Sequence, residues 1–107
     1  MENPKYKKAK EELESTGITS MRVFGNSMTP IIKSGSLLTF EQSDEYHIND
    51  IVFCKVRGRI IDAHKISSKN RTRYLISNNH GYDNGWTSTI YGRVVAIEGI
   101  PYRKNKP

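Results

Sequence analysis

The chain has 107 residues, which fits a single domain, because domains contain roughly 100 to 200 residues. Seventeen Lys and Arg residues against eleven Asp and Glu give a formal net charge of +6 at pH 7, which favours acidic proteins or nucleic acid as partners. Cys54 is the only cysteine, which excludes an internal disulfide and the class of disulfide-stabilised extracellular mini-proteins. No apolar run approaches the roughly 20 residues that cross a bilayer, so we expect a cytoplasmic protein with no membrane segment and no signal peptide.

The N-terminal part of the chain predicts one helix. Residues 4–14 are rich in helix formers and start with a proline at an allowed first-turn position, and Gly17 follows as a stop signal. Tyr6, Ala9 and Leu13 recur at intervals of three and four, which forms a narrow apolar stripe. We expect this stripe to dock on a sheet, because so short a helix is marginal alone; an arm toward a partner is the alternative.

The remainder of the chain predicts β-structure. Short runs of Val, Ile, Thr, Tyr and Phe alternate with turn residues, and they predict strands over residues 21–24, 36–41, 51–56, 59–67, 73–77 and 89–97. Gly58 lies between two of these runs and predicts a tight hairpin turn. Residues 78–85, NNHGYDNG, predict a long loop, because turn formers dominate them.

These elements predict a mainly β fold with one N-terminal α-helix in a single domain. We divide that domain into the helix at residues 1–17, a β core at residues 18–98 and a basic tail at residues 99–107.

The segment with the clearest chemical potential is GNSMTP, residues 25–30. It follows the run MRVF and precedes IIKSG, so Ser27 lies on a turn flanked by Gly25 and Pro30. Such a turn can present an exposed hydroxyl. A turn serine that only bonds its own backbone is the alternative on local sequence alone.

The wider context of this turn resembles a known family of serine peptidases. The run GNSMTPIIKSGSLLTFE, followed by INDIVFCKVRGRIIDAHKI, is similar to the signal peptidase and LexA-like repressor superfamily, whose signature is G-x-SMxP and then GDIV leading into a strand hairpin. The resemblance extends from about Val23 to Val95. It implies a peptidase domain built as a small, twisted and coiled β-sheet barrel, with Ser27 as the nucleophile.

The same resemblance places the general base on the later hairpin strand, which reads DAHKI from Asp62 to Ile66. The base position falls on His64, as in the histidine branch of the superfamily, and Lys65 is the alternative base. Imidazole titrates near neutral pH, so it can take a serine proton without the burial that lysine needs. Strand alternation sends these two side chains to opposite faces, so only one can face Ser27. His64 as an ordinary strand residue remains the alternative.

A histidine base also needs a group that fixes its tautomer. In the histidine branch an acid follows an Asn-rich turn, which makes Asp83 the candidate by resemblance, with an ordinary turn role as its alternative. Asp62 is a weaker candidate, because neighbours on one face of a strand project in parallel.

The remaining site residues surround the nucleophile. The candidate oxyanion donors are the backbone N–H of Ser27 and the side chain of Asn26 or Ser20. We expect Met28 to pack into the sheet or line the substrate groove, and Pro30 to fix the turn.

Binding motifs for other ligands are weak. The histidines and Cys54 lack metal-ligand spacing, so we expect no metal and no cofactor. Basic residues cluster in two predicted hairpins, at Lys55, Arg57 and Arg59 and at Lys69, Arg71 and Arg73. A solvated face is the usual role of such clusters, and nucleic-acid binding is the alternative.

Two functions therefore stay open. The first is a small soluble serine peptidase-like protein that hydrolyses a protein or peptide substrate through Ser27, His64 and Asp83. The second is an inactive binding or regulatory module of the same fold that engages an acidic protein or nucleic acid through its basic hairpins, since fold does not imply function. A homodimer is a further expectation.

Overall fold

The computed structural model describes residues 2–103, and this part of the chain forms one helix followed by eight strands. The elements are α1 (Pro4–Thr16), β1 (Ile18–Arg22), β2 (Leu37–Glu41), β3 (Ile51–Val56), β4 (Arg59–Lys69), β5 (Tyr74–Ser77), β6 (Asp83–Thr87), β7 (Ile90–Ile97) and β8 (Ile100–Pro101). The predicted basic tail therefore begins with a short strand, and its residues 104–107 lie outside the described residues. No helix within residues 2–103 is long and apolar enough to cross a membrane.

Helix α1 has a cap at each end. The Asn3 side chain accepts a backbone hydrogen bond in the first turn, and Gly17 ends the helix at φ 82°, a left-handed conformation that favours glycine. Ala9 and Leu13 are buried in the core, and Tyr6 packs against it. The predicted docking of the apolar stripe on the sheet is confirmed.

All eight strands belong to one antiparallel sheet in the order β1-β2-β7-β3-β4-β5-β6, with β8 paired to β7. The predicted mainly β fold with one helix is confirmed. The hairpin at Gly58 is also confirmed: Arg57 and Gly58 form a two-residue turn with φ values of 50° and 80°. Two positive φ values are typical of the turn that matches the twist of paired strands.

The loop predicted over residues 78–85 is too long, because β6 begins at Asp83 within it. Asp83, Asn84 and Gly85 are poor strand formers on their own. They form a strand because β6 pairs with β5, where Gly85 lies opposite Ile76 and Asp83 opposite Ser77. Tertiary pairing overrides local propensity here. The sequence reading also missed β8.

Strand β3 separates two apolar clusters. Ile51 and Phe53 face the cluster that holds α1, whereas Val52 and Cys54 face a second cluster against β4 and β5. This alternation buries both faces of β3 and makes it the centre of the core.

The sheet curls back on itself near the end of β3. Thr87 Oγ1 donates to the Lys55 carbonyl at 2.6 Å, and the Lys55 N–H donates to the Thr89 carbonyl at 3.1 Å. These bonds join the end of β6, and the connection that follows it, to β3. They bring β6 next to β3.

Candidate active site

Ser27 lies on the turn formed by residues 25–32, which we call the serine turn. The Thr29 N–H donates to the Asn26 carbonyl at 3.2 Å, and the Ile32 N–H donates to the Met28 carbonyl at 2.9 Å. Ser27 itself is half-buried. These bonds make a compact turn that holds the serine at the surface of the sheet.

The residues next to Ser27 point in different directions. Met28 is buried in the cluster that holds α1, so its side chain anchors the turn, and it also lines a small cavity with Lys65. Pro30 is exposed and follows a cis peptide bond from Thr29. Met28 therefore packs in the core beneath the turn.

The central contact of the site joins Ser27 to His64. The Ser27 Oγ lies 3.0 Å from His64 Nε2, within hydrogen-bond reach. His64 projects from β4, and 37 residues separate it from Ser27 along the chain. The fold therefore brings together the two residues that the sequence motif singles out.

The other ring nitrogen of His64 contacts Asn84, not Asp83. His64 Nδ1 lies 2.6 Å from Asn84 Oδ1, an oxygen that can only accept a hydrogen bond. Nδ1 therefore carries a proton, and in the neutral ring Nε2 keeps a lone pair toward Ser27.

The carboxylate of Asp83 is engaged elsewhere. Ser77 Oγ donates to Asp83 Oδ1 at 2.6 Å, on the neighbouring strand β5. Adjacent residues on a strand project to opposite faces, so Asp83 and Asn84 cannot both meet His64. The expected contact from Asp83 is corrected to one from Asn84.

The two other charged candidates near His64 also have partners of their own. Lys65 Nζ lies 3.5 Å from Asn79 Oδ1, on the face of β4 opposite His64, as strand alternation predicts. Asp62 Oδ2 accepts a hydrogen bond from the Tyr6 hydroxyl at 3.2 Å. Burial, and then the charge and hydrogen bond of Asp62, raise the pKa of Tyr6 to about 12. This pair joins α1 to β4 beside the site.

A loop between β5 and β6 holds the serine turn in place. The Asn79 N–H donates to the Ser27 carbonyl at 2.7 Å, and Asn79 Nδ2 donates to the Thr29 carbonyl at 3.0 Å. His80 Nε2 lies 2.9 Å from the Asn26 carbonyl and 3.2 Å from Thr29 Oγ1. Sequence reasoning missed both Asn79 and His80. The only signal for them was the turn-rich run that we assigned to a loop.

One of the two side chains considered as oxyanion donors lies elsewhere. Ser20 Oγ is 3.1 Å from Thr39 Oγ1 on β2, and Ser20 lines a separate cavity next to α1. Asn26 is exposed, and its carbonyl is the group that His80 contacts. The backbone N–H of Ser27 therefore remains a candidate oxyanion donor, and it belongs to the nucleophile's own residue.

A groove with a volume of about 550 Å³ leads away from Ser27 and His64. It is lined by Tyr6, Phe24, Ser27, Val56, Arg57, Arg59, Ile60, Ile61, Asp62, His64, Tyr82 and Asn84. The site is therefore open to a ligand that extends along β4.

The structure offers no metal site or reactive thiol in its described part. Within residues 2–103, no three His, Cys, Asp or Glu side chains are grouped to hold a metal ion. Burial raises the pKa of the Cys54 thiol to about 12, so the thiol stays protonated and weakly nucleophilic at neutral pH.

Comparison with known proteins identifies one family. A family model described as Peptidase S24-like matches residues 2–98, which include the serine turn and all of β4 and β6. No curated protein matches the chain.

Proposed function

The chain belongs to the Peptidase S24-like family, and on that premise we propose that it is a serine peptidase with Ser27 as nucleophile and His64 as general base. The observation that carries this proposal is the 3.0 Å contact between Ser27 Oγ and His64 Nε2. A serine hydroxyl is a weak nucleophile until an adjacent base takes its proton, and this contact supplies that base.

The contacts support a two-stage acyl transfer. His64 Nε2 accepts the hydroxyl proton as Ser27 Oγ bonds to the carbonyl carbon of the substrate, and the carbonyl electron pair moves onto oxygen. The Ser27 backbone N–H is the candidate donor to that oxyanion. As the intermediate collapses, the C–N bond breaks and His64 passes its proton to the leaving amine. Water, activated by His64, then hydrolyses the acyl ester.

Asn84 acts in this scheme as a positioning residue. Its Oδ1 accepts the Nδ1 proton at 2.6 Å, which selects the tautomer that can take a proton at Nε2. The opposite amide orientation would place an N–H at Nδ1 and leave the proton on Nε2, where it blocks transfer from Ser27. A neutral amide adds no charge to stabilise the imidazolium, so we expect lower turnover than a carboxylate would give.

The proposal is tested with Ser27→Ala and His64→Ala. Both variants should lose hydrolysis of a peptide substrate and labelling by a serine-directed reagent, while circular dichroism shows an unchanged fold. Lys65→Met removes the alternative base from the opposite face of the same strand. It should lose far less activity than His64→Ala, because the contact that it removes is the one to Asn79. A wild-type protein with neither hydrolysis nor labelling between about pH 5 and 9, the range that brackets imidazole titration, contradicts the proposal.

A second candidate function is binding through the basic hairpins without hydrolysis. Arg71 and Arg73 are exposed in the connection between β4 and β5, and Arg57 is exposed at the β3–β4 turn. This function predicts that an acidic protein or an oligonucleotide binds the Ser27→Ala variant as well as the wild type. That binding should weaken steeply with salt.

A further inference from the structure

The groove beside Ser27 has an aromatic end. Phe24 lies three residues before the nucleophile and is 66% exposed, and Tyr82 lies two residues before Asn84 and is 63% exposed. Large aromatic side chains that stay exposed next to reactive groups indicate a contact surface for a ligand. Val56, Ile60 and Ile61 continue the apolar lining along β3 and β4.

The groove lining also contains two cationic side chains. Arg57 and Arg59 line the groove at the β3–β4 turn, and within residues 2–103 neither guanidinium forms an ion pair with a carboxylate. Two other arginines differ, because Arg22 and Arg93 pair with glutamates. The acid in the groove lining, Asp62, accepts a hydrogen bond from Tyr6. The two guanidinium groups are therefore available to an external anion.

The spacing between His64 and Arg59 along β4 suits an extended peptide ligand. Arg59 and His64 are five residues apart on β4, which corresponds to ~16 Å at about 3.3 Å per strand residue. An extended peptide has the same rise. An anionic side chain that reaches the arginines would therefore lie about three to five residues from the bond at Ser27, once the length of an arginine side chain is included.

We propose that this groove selects an extended acidic peptide, with a large apolar residue between Phe24 and Tyr82 at the scissile bond and an Asp or Glu held by Arg57 and Arg59. This inference rests on the proposed peptidase function. Guanidinium groups suit it, because they bind carboxylates through two parallel hydrogen bonds. A nucleic acid fits less well, because its phosphates need cations along the whole path, whereas Val56, Ile60 and Ile61 give part of this lining an aliphatic surface.

The test compares two fluorescent eleven-residue peptides that differ in charge. Both carry a central Phe; one has Glu and the other Lys at the positions three to five residues to either side of it. The Ser27→Ala variant should bind the Glu peptide at least about tenfold more tightly at low salt. The double variant Arg57→Glu, Arg59→Glu should lose or invert this preference. The double variant Arg71→Glu, Arg73→Glu makes the same change in charge outside the groove and should keep it.

The outcomes separate this inference from the function on which it rests. A small serine-directed reagent should label Ser27 at equal rates in the wild type and in the Arg71→Glu, Arg73→Glu variant, because those two arginines lie outside the groove. Circular dichroism of the Arg57→Glu, Arg59→Glu variant should match the wild type, so that a lost preference is not the result of misfolding. Loss of labelling in the wild type overturns the peptidase proposal. Normal labelling with equal binding of the two peptides, or no binding of either at about 1 mM, overturns the acidic-peptide assignment. A single-stranded oligonucleotide that displaces the Glu peptide at lower concentrations than unlabelled Glu peptide also overturns it.

Discussion

Two histidines contact the serine turn, and they contact different kinds of atoms. His64 Nε2 faces the Ser27 hydroxyl, whereas His80 Nε2 faces the Asn26 carbonyl. A ring nitrogen that faces a carbonyl must carry a proton, so His80 donates from Nε2. His64 donates from Nδ1 to Asn84 and can accept at Nε2. The atoms that each ring contacts, and not the residue type, therefore decide which histidine can act as a base.

The largest expected difference is between the two histidines themselves. His64→Ala should lower kcat by about 10²- to 10⁴-fold, the usual contribution of a positioned general base. The measurement is peptide hydrolysis under saturating substrate, with Lys65→Met as the control on the same strand. If Lys65→Met costs more activity than His64→Ala, the assignment of the base to His64 fails.

The next largest effect concerns the third residue. Asn84→Ala should lower kcat by about 10- to 100-fold, because the imidazole loses the partner that fixes its tautomer. Asn84→Asp should raise kcat and displace the rising part of the rate profile to higher pH, since a carboxylate favours the protonated imidazole. Asp83→Asn is the control, and it should change kcat by less than about threefold. A larger loss of kcat from Asp83→Asn than from Asn84→Ala would show that Asp83 is the orienting group.

His80→Ala should have a smaller effect, a loss of about tenfold in kcat with little change in KM. The variant removes a bond to the turn that aims Ser27, and a small misplacement of a reacting group slows chemistry more than binding. His80→Gln should recover most of the loss, because its amide N–H can still donate to Asn26. An effect of His80→Ala as large as that of His64→Ala, without recovery in His80→Gln, contradicts a purely positioning role.

The smallest expected effect concerns Asp62, which lies two residues before His64. It tests whether Asp62 stabilises the packing of α1 through its hydrogen bond with Tyr6. Tyr6→Phe should lower the free energy of unfolding by about 1 kcal/mol at pH 8, because it removes one hydrogen bond to Asp62. Burial and Asp62 raise the pKa of Tyr6 to about 12 in the folded state, above its ordinary value near 10. This stabilisation is therefore present below pH 10 and is lost as the pH rises toward 12. Denaturant unfolding at pH 8 and pH 11 measures it, and an equal difference at both values contradicts the contact.

The sequence pointed to Ser27 and His64, which the structure brings into contact, but not to the contact from Asn84. A local motif marks Ser27, and the resemblance to the histidine branch marks His64. Strand alternation adds only that His64 and Lys65 cannot both face Ser27. The choice between Asp83 and Asn84 depends on the register of β6, which an irregularity between Ile76 and Ser77 sets. A shift of one residue exchanges every side chain between the two faces, and no local pattern determines it.

The contacts from the loop were also outside the reach of sequence patterns. Asn79 and His80 meet the serine turn across 50 or more residues of chain. Neither helical nor strand periodicity relates positions so far apart, and turn formers predict a loop without saying what the loop touches. The fold class, in contrast, follows from composition and alternation, which are local.

The most direct test is the rate at which a serine-directed reagent labels Ser27, followed by intact-protein mass between about pH 5 and 9 in the wild type, His64→Ala and Lys65→Met. We expect one label per wild-type chain, on Ser27, at a rate that rises with pH, because only a neutral imidazole can accept the hydroxyl proton. Lys65→Met should keep this rise with pH, and His64→Ala should be slower by at least about 100-fold. A His64→Ala variant that labels at the wild-type rate, or a wild-type protein that does not label, would contradict the activation of Ser27 by His64.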